Sequence, residues 1–355
     1  MRWGERLNRT AWAVLLVLGL VGPGAAQELP PAGAGDPAAP LKPSPVAADV
    51  HDGAAVPLPL ECHCDSSPVK LFADLEYLYL KPRRDYLDFA IVAPASNIAN
   101  GSIESLNYDW RSAFRVGGGY CLGEGWEAGV YYSYLHSNAS QSLVKPTDGG
   151  TIFPTLTHPG FINSVDTASA TSGFIYNVLD AELGRRFAIN DSALVRLFAG
   201  GRFAWIRQSL DAYYDGGDAN MAHVSSPIGF HGGGFRVGGE GTYLMPWGFG
   251  LFARASGSLL LGDFHTSLLE TNNNETTVNV NVSRGFEKIV PVADIALGVS
   301  WQYRNLTVSG GYELVNWFGL VDSPNFTDDV SQGKLSRRNG DLSLDGFFIR
   351  VAFAY

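Results

Sequence analysis

The feature that most constrains this chain is a two-residue rhythm that recurs from residue 69 to the end. Between Ile289 and Tyr303 the odd positions read Ile289, Pro291, Ala293, Ile295, Leu297, Val299, Trp301 and Tyr303, while the even ones are mostly small or polar. Successive side chains of a strand point to opposite faces, so such a segment has one apolar and one polar face. The rhythm predicts ten strands, at 70–81, 106–122, 126–137, 172–188, 193–208, 230–244, 249–262, 287–303, 306–319 and 342–355. The connections alternate. Short ones fall at Gly123-Glu124-Gly125, around Asn190-Asp191, at Met245–Gly248 and at Arg304-Asn305; long polar ones span 82–105, 138–171, 209–229, 263–286 and 320–341. Transmembrane β-barrels have an even strand number, short periplasmic turns and longer extracellular loops. The expected fold is therefore all-β: a single antiparallel up-and-down transmembrane β-barrel of about ten strands.

The competing fold is a secreted β-sandwich or propeller, whose outward face would be polar. The charges on the polar parity argue for the barrel. They are Asp74, Glu76, Asp109, Arg111, Arg115, Glu127, Asp180, Glu182, Arg186, Arg196, Arg202, Arg236, Glu240, Arg254, Asp294, Glu313 and Arg350. Acids and bases are balanced, and the bases are Arg, whose fork suits ion-pair networks in confined space. These residues are the expected lining of a polar lumen. On the apolar parity, Tyr120, Trp126, Tyr243, Trp301 and Tyr303 adjoin short turns, with Trp247 and Phe249 in one of them; Tyr108, Trp110, Tyr132, Tyr134 and Trp205 adjoin long loops. That is the two-girdle pattern of membrane interfaces. The formal net charge of −10 speaks against a nucleic-acid partner, which requires a basic footprint.

The N-terminus sets the compartment. Arg2, Arg6 and Arg9 precede an apolar run from Ala11 to Val21, followed by small residues at Gly24-Ala25-Ala26. This is a signal-peptide pattern over 1–26, too short in its apolar part for a membrane helix. Residues 27–68 read as a periplasmic leader, Pro- and Ala-rich for most of its length, and 69–355 as the barrel domain. The expected location is the bacterial outer membrane, with its lipid as a partner. The last strand alternates Phe347, Ile349, Val351, Phe353 and Tyr355. Phe353 and Tyr355 are the expected assembly signal, read by the barrel-assembly machinery.

Three constellations bear on chemistry. Cys62-His63-Cys64 supplies soft ligands, but no second motif closes a metal site. An oxidising periplasm favours a disulfide, from Cys62 or Cys64 to Cys121, with inert thiols and a metal as the alternatives. Asp263-Phe264-His265 has the residue types of an acid–base pair. Its parity continues the lipid-facing side of Leu259 and Leu261, so no catalytic residue is assigned. The Arg and carboxylate set serves either to hold a narrow barrel together or to tune solute selectivity. No cofactor is expected.

Residues 69–355 resemble the Legionella-type major outer-membrane protein family. The resemblance is carried by 71–80 (LFADLEYLYL), 177–184 (NVLDAELG), 198–202 (FAGGR), 250–264 and the last strand. It implies an outer-membrane barrel, a pore and no enzyme. The expectation is a passive pore for small hydrophilic solutes, with a structural or adhesive surface barrel whose lumen is filled by side chains as the alternative.

Overall fold

The computed structural model describes residues 70–94, 99–327 and 333–355. The segments expected to be signal peptide and leader, with Cys62-His63-Cys64, lie outside these residues. The strands are β1 (Lys70–Arg84), β2 (Asp88–Ala93), β3 (Ser102–Ser105), β4 (Arg111–Gly123), β5 (Trp126–Val144), β6 (Thr151–Pro154), β7 (Thr167–Asn190), β8 (Ala193–Gly216), β9 (Ala219–Ser225), β10 (Ile228–Leu244), β11 (Phe249–Asn272), β12 (Thr277–Tyr303), β13 (Leu306–Phe326) and β14 (Leu335–Ala354). Ten of them close a ring in the order β1-β4-β5-β7-β8-β10-β11-β12-β13-β14, and β14 pairs back onto β1 with Glu76 opposite Arg350. All ring pairings are antiparallel, so the ring leaves no exposed sheet edge.

The outward face follows the expected parity. On β11 the outward positions run from Phe249 through Leu251 to Leu259 and Leu261, all exposed, before turning polar at Asp263. At ~3.4 Å per residue and a ~40° tilt this apolar run covers roughly 30 Å, enough for the hydrocarbon band. Aromatics mark both ends. Tyr79 stacks on Trp110 at 5.4 Å, and Trp110 on Phe347 at 6.1 Å, toward the long connections. Trp301 stacks on Tyr303 at 5.9 Å beside a short turn.

The long connections differ from the expected loops. Most of 138–144, 209–216, 263–272, 277–286 and 320–326 is strand, because each hairpin ladder continues past the membrane until a turn stops it. The β11–β12 hairpin reverses only at Asn273, Asn274 and Glu275, whose φ values are positive; Asn in particular tolerates that left-handed backbone. β9 lies between the extended tips of β8 and β11. β2, β3 and β6 form a separate sheet.

Two face assignments are corrected. β4 begins at Arg111 rather than residue 106. Leu106 instead bonds back to Leu87, so parity does not carry through 106–110. Tyr108 therefore turns inward, 2% exposed, with its hydroxyl 2.7 Å from Ser172 Oγ, and Asp109 is exposed rather than lumenal. Arg111 stays on the inward parity but sits at the rim, where Nη2 donates to Asn138 Oδ1 at 3.0 Å.

Candidate functional site

The interior has two unlike halves. Nearer the long hairpins most inward positions are apolar: Leu78 and Leu80, Phe174 and Tyr176, Ile206, Phe230, Phe264, Val290 and Trp317 are all buried, with Arg84, Ser172 and Gln208 among the polar exceptions. Tyr176 on β7 and Trp317 on β13 stand five strands apart round the ten-strand ring, hence on opposite walls. Their rings nevertheless meet edge to face at 5.8 Å, and Phe230 joins Trp317 at 6.3 Å. The expected polar lumen is thus interrupted by an apolar layer that crosses the barrel.

A cap built from the first two long connections closes over this layer. Phe89 and Ile152 are fully buried, and Ile162 and Val165 nearly so. The cap is tied around the ring. The Tyr214 hydroxyl of β8 donates to Phe89 O at 2.6 Å, and Arg338 of β14 donates to Asp88 at 3.1 Å and to Thr155 O at 2.7 Å. His158 N donates to Glu270 Oε2 of β11 at 2.6 Å, while Asn279 donates to Oε1 at 2.9 Å. Burial pushes the Glu270 carboxyl above its ordinary value, opposed by those hydrogen bonds. A raised acid favours the protonated fold, so this latch is strongest near and below pH 4.5 and weakens as pH rises through the raised value. Exchange of amides 157–162 should accordingly be better protected at pH 5 than at pH 8 after correction for intrinsic rates. Glu270→Gln should flatten that dependence; an unchanged profile in the variant would remove Glu270 as its source. Glu270→Ala should loosen the cap by about 1–3 kcal/mol, by leaving the buried His158 N–H unpaired.

Below the apolar layer lies a charged chamber, part of it continuous with solvent and much of it filled by its own side chains. Every charged residue expected to face inward lines it except Asp109 and Arg111. Arg202 grips Asp180 with both arms, at 2.7 and 2.9 Å, and reaches Asp294 at 2.9 Å. Arg236 meets Asp180 at 3.0 Å, Glu182, and Asp294 at 3.3 Å. Arg196 joins Glu127 and Glu182, and Arg186 meets Glu127 at 3.0 Å. A second group centres on Arg115, which bonds Glu76 at 2.7 Å and Glu313 at 3.1 Å; Arg254 approaches Glu313 at 3.7 Å. Arg350 holds Asp74 at 2.8 and 2.9 Å, and Glu240 is level with Arg196 and Arg254 in the ladder.

Local sequence explains why these charges meet. In register, Arg236 on β10, Gly200 on β8 and Glu182 on β7 lie side by side. With no side chain at Gly200, the Arg236 fork passes over β8 to the carboxylates beyond. Arg202, two residues along β8, points the same way. The FAGGR segment thus supplies a cation and the gap that admits another.

The remaining candidates are placed as follows. Cys121 is buried on β4 and disulfide-bonded, with its partner outside the described residues. Asp263 and His265 face outward on either side of the inward Phe264. Phe353 faces outward and Tyr355 is 84% exposed beside the β1 start, its N–H donating to Leu71 O at 2.8 Å. The apolar layer and the cap were missed. Their signal was present in Leu78, Leu80, Tyr176, Val178 and Ile206, apolar residues on the nominally polar parity toward the long connections.

The chain is similar, at low scores, to several solved structures. The outer membrane protease OmpT from Escherichia coli is 9% identical, with 81% of this chain and 97% of that chain covered and a TM-score of 0.44. The translocator domain of the autotransporter NalP from Neisseria meningitidis is 13% identical, covering 82% and 90%, with a TM-score of 0.37. A Pseudomonas aeruginosa FadL homologue is 9% identical, covering 81% and 90%, with a TM-score of 0.24. No curated protein matches the chain. The family model for the Legionella pneumophila major outer membrane protein precursor matches residues 66–355, the whole barrel. The chain belongs to that family of outer-membrane proteins.

Proposed function

We propose that the protein is a non-enzymatic surface barrel held shut by its own side chains, presenting its cap and hairpin tips outside the cell. The observation that carries this reading is the contact of Tyr176 with Trp317 across the full ring, at 5.8 Å, beneath a cap with a fully buried Phe89. A standing pore for hydrophilic solutes needs a continuous wet path. Eight strands give an interior that side chains just fill, and open porins use 16 to 18; ten strands stay near the filled limit. Arg–carboxylate pairs crossing the chamber add to the obstruction.

The passive pore keeps one observation in its favour, the charged chamber that extends to Asn305 and Ala354 near the short turns. Solutes would reach the apolar layer from that side and stop there. Purified full-length protein in a planar bilayer separates the readings. The closed barrel predicts silence at steady voltage from wild type. Reproducible unit conductance steps, scaling with protein added, would establish the pore and reject the closed reading.

A further inference from the structure

Two consecutive arginines on β7 do opposite things. Arg186 turns inward to Glu127 at 3.0 Å. Arg185 points outward, as its ladder partners show: Trp126 on β5 and Leu197 on β8, the latter 53% exposed on the lipid-facing wall. Its guanidinium is held between two rings, 5.3 Å from the Trp126 centroid and 5.2 Å from that of Phe187. No hydrogen bond or ion pair engages its side chain among the described residues, and its Nε is buried without a partner. A cation on an apolar wall is costly unless it reaches the interface or an anion.

The depth and direction identify that anion. Trp126 belongs to the girdle beside the short turn at Gly123–Gly125, the periplasmic side. Arg185 leans toward Phe187, the next outward position on the way to the periplasmic turn. The groups it can reach there are headgroups of the inner leaflet. Exposed Leu183 and Leu197 beside it offer a surface for acyl chains. We infer that Arg185, clamped by Trp126 and Phe187, is a binding site for the phosphate of an inner-leaflet glycerophospholipid. The planar guanidinium donates in a fork that matches a phosphate diester, and the two rings hold it in place without competing for its N–H groups. The site lies outside the barrel and does not depend on whether the lumen conducts.

The test uses full-length protein in detergent, loaded with phosphatidylglycerol, washed and read by native mass spectrometry for retained lipid. Wild type should keep one lipid that resists washing, and Arg185→Gln should lower retention at least tenfold. Arg304→Gln removes an equal charge from the exposed turn beyond Tyr303 and should leave retention unchanged. Equal retention by Arg185→Gln, or equal loss in Arg304→Gln, overturns the site. Two measurements on wild type stand without any variant. Diacylglycerol with the same acyl chains should not be retained, and 10-fold excess inorganic phosphate should not displace the phospholipid. Retention of diacylglycerol would make the contact purely apolar, and displacement by inorganic phosphate would make it a soluble-anion site; either rejects the inference.

Discussion

Arg236→Ala is expected to destabilise the barrel by about 3–5 kcal/mol, because it strands buried carboxylates. Arg236 is 8% exposed and meets Asp180, Glu182 and Asp294, of which Asp180 is 4% exposed and Glu182 8%. Removing the cation leaves Arg202 and Arg196 to balance three acids, and the vacated space over Gly200 cannot be refilled by a short side chain. Arg236→Lys keeps a charge but loses the fork that spans β7 and β12, so its loss should be smaller. Lys145 provides the contrast. Its pair with Asp166 is short, at 2.9 Å, but the two side chains are 44% and 52% exposed, and such pairs are worth about 0–1 kcal/mol. Equilibrium unfolding of the refolded barrel in one detergent measures all three. If Arg236→Ala costs no more than Lys145→Ala, the chamber's ion pairs do not hold the wall together.

The parts of this fold that could be read from sequence are those where a bilayer makes opposite demands on alternate residues. Along β12 the odd residues from Ile289 to Tyr303 meet lipid and the even ones do not, so both the strand and its faces were legible. The inward charges were legible for the same reason, since Arg202, Arg236 and Asp294 have no tolerable place on the outer wall. Nearer the long hairpins the demand changes. There the interior is a packed apolar core, and above the membrane the outside is water, so Phe174, Tyr176 and Trp317 carry the opposite pattern. Their apolar character on the inward parity fits no polar channel, but the partner that covers them is built on Phe89, Ile152, Ile162 and Val165, far off in sequence. Tyr108 and Asp109 failed for a different reason: the chain arriving from the cap enters β4 out of phase. Where the hairpins stop was also hidden, because nothing on the outer, aqueous side limits a ladder except its turn.

The outward wall gives the sharpest test that this barrel sits in lipid at the expected depth. Leu297 and Val278 lie on the same strand and are both outward and exposed, 59% and 57%. Leu297 is flanked in the ladder by Ala253 and Tyr312, within the apolar band; Val278 pairs with Thr271 next to the hairpin turn. Leu297→Arg should cost about 2–4 kcal/mol on folding into a bilayer, the penalty for a base near the midplane, whereas a charge beyond the interface costs close to nothing. Val278→Arg should therefore fold as wild type does. In water or a non-bilayer refolding buffer the two would be alike, since neither side chain is packed against protein. The difference between them, measured in the same vesicles, reports immersion alone. Equal penalties, or a larger one at Val278, would mean that the strand does not cross the membrane where its apolar run indicates, and that the girdles at Trp301 and Tyr79 are not its boundaries.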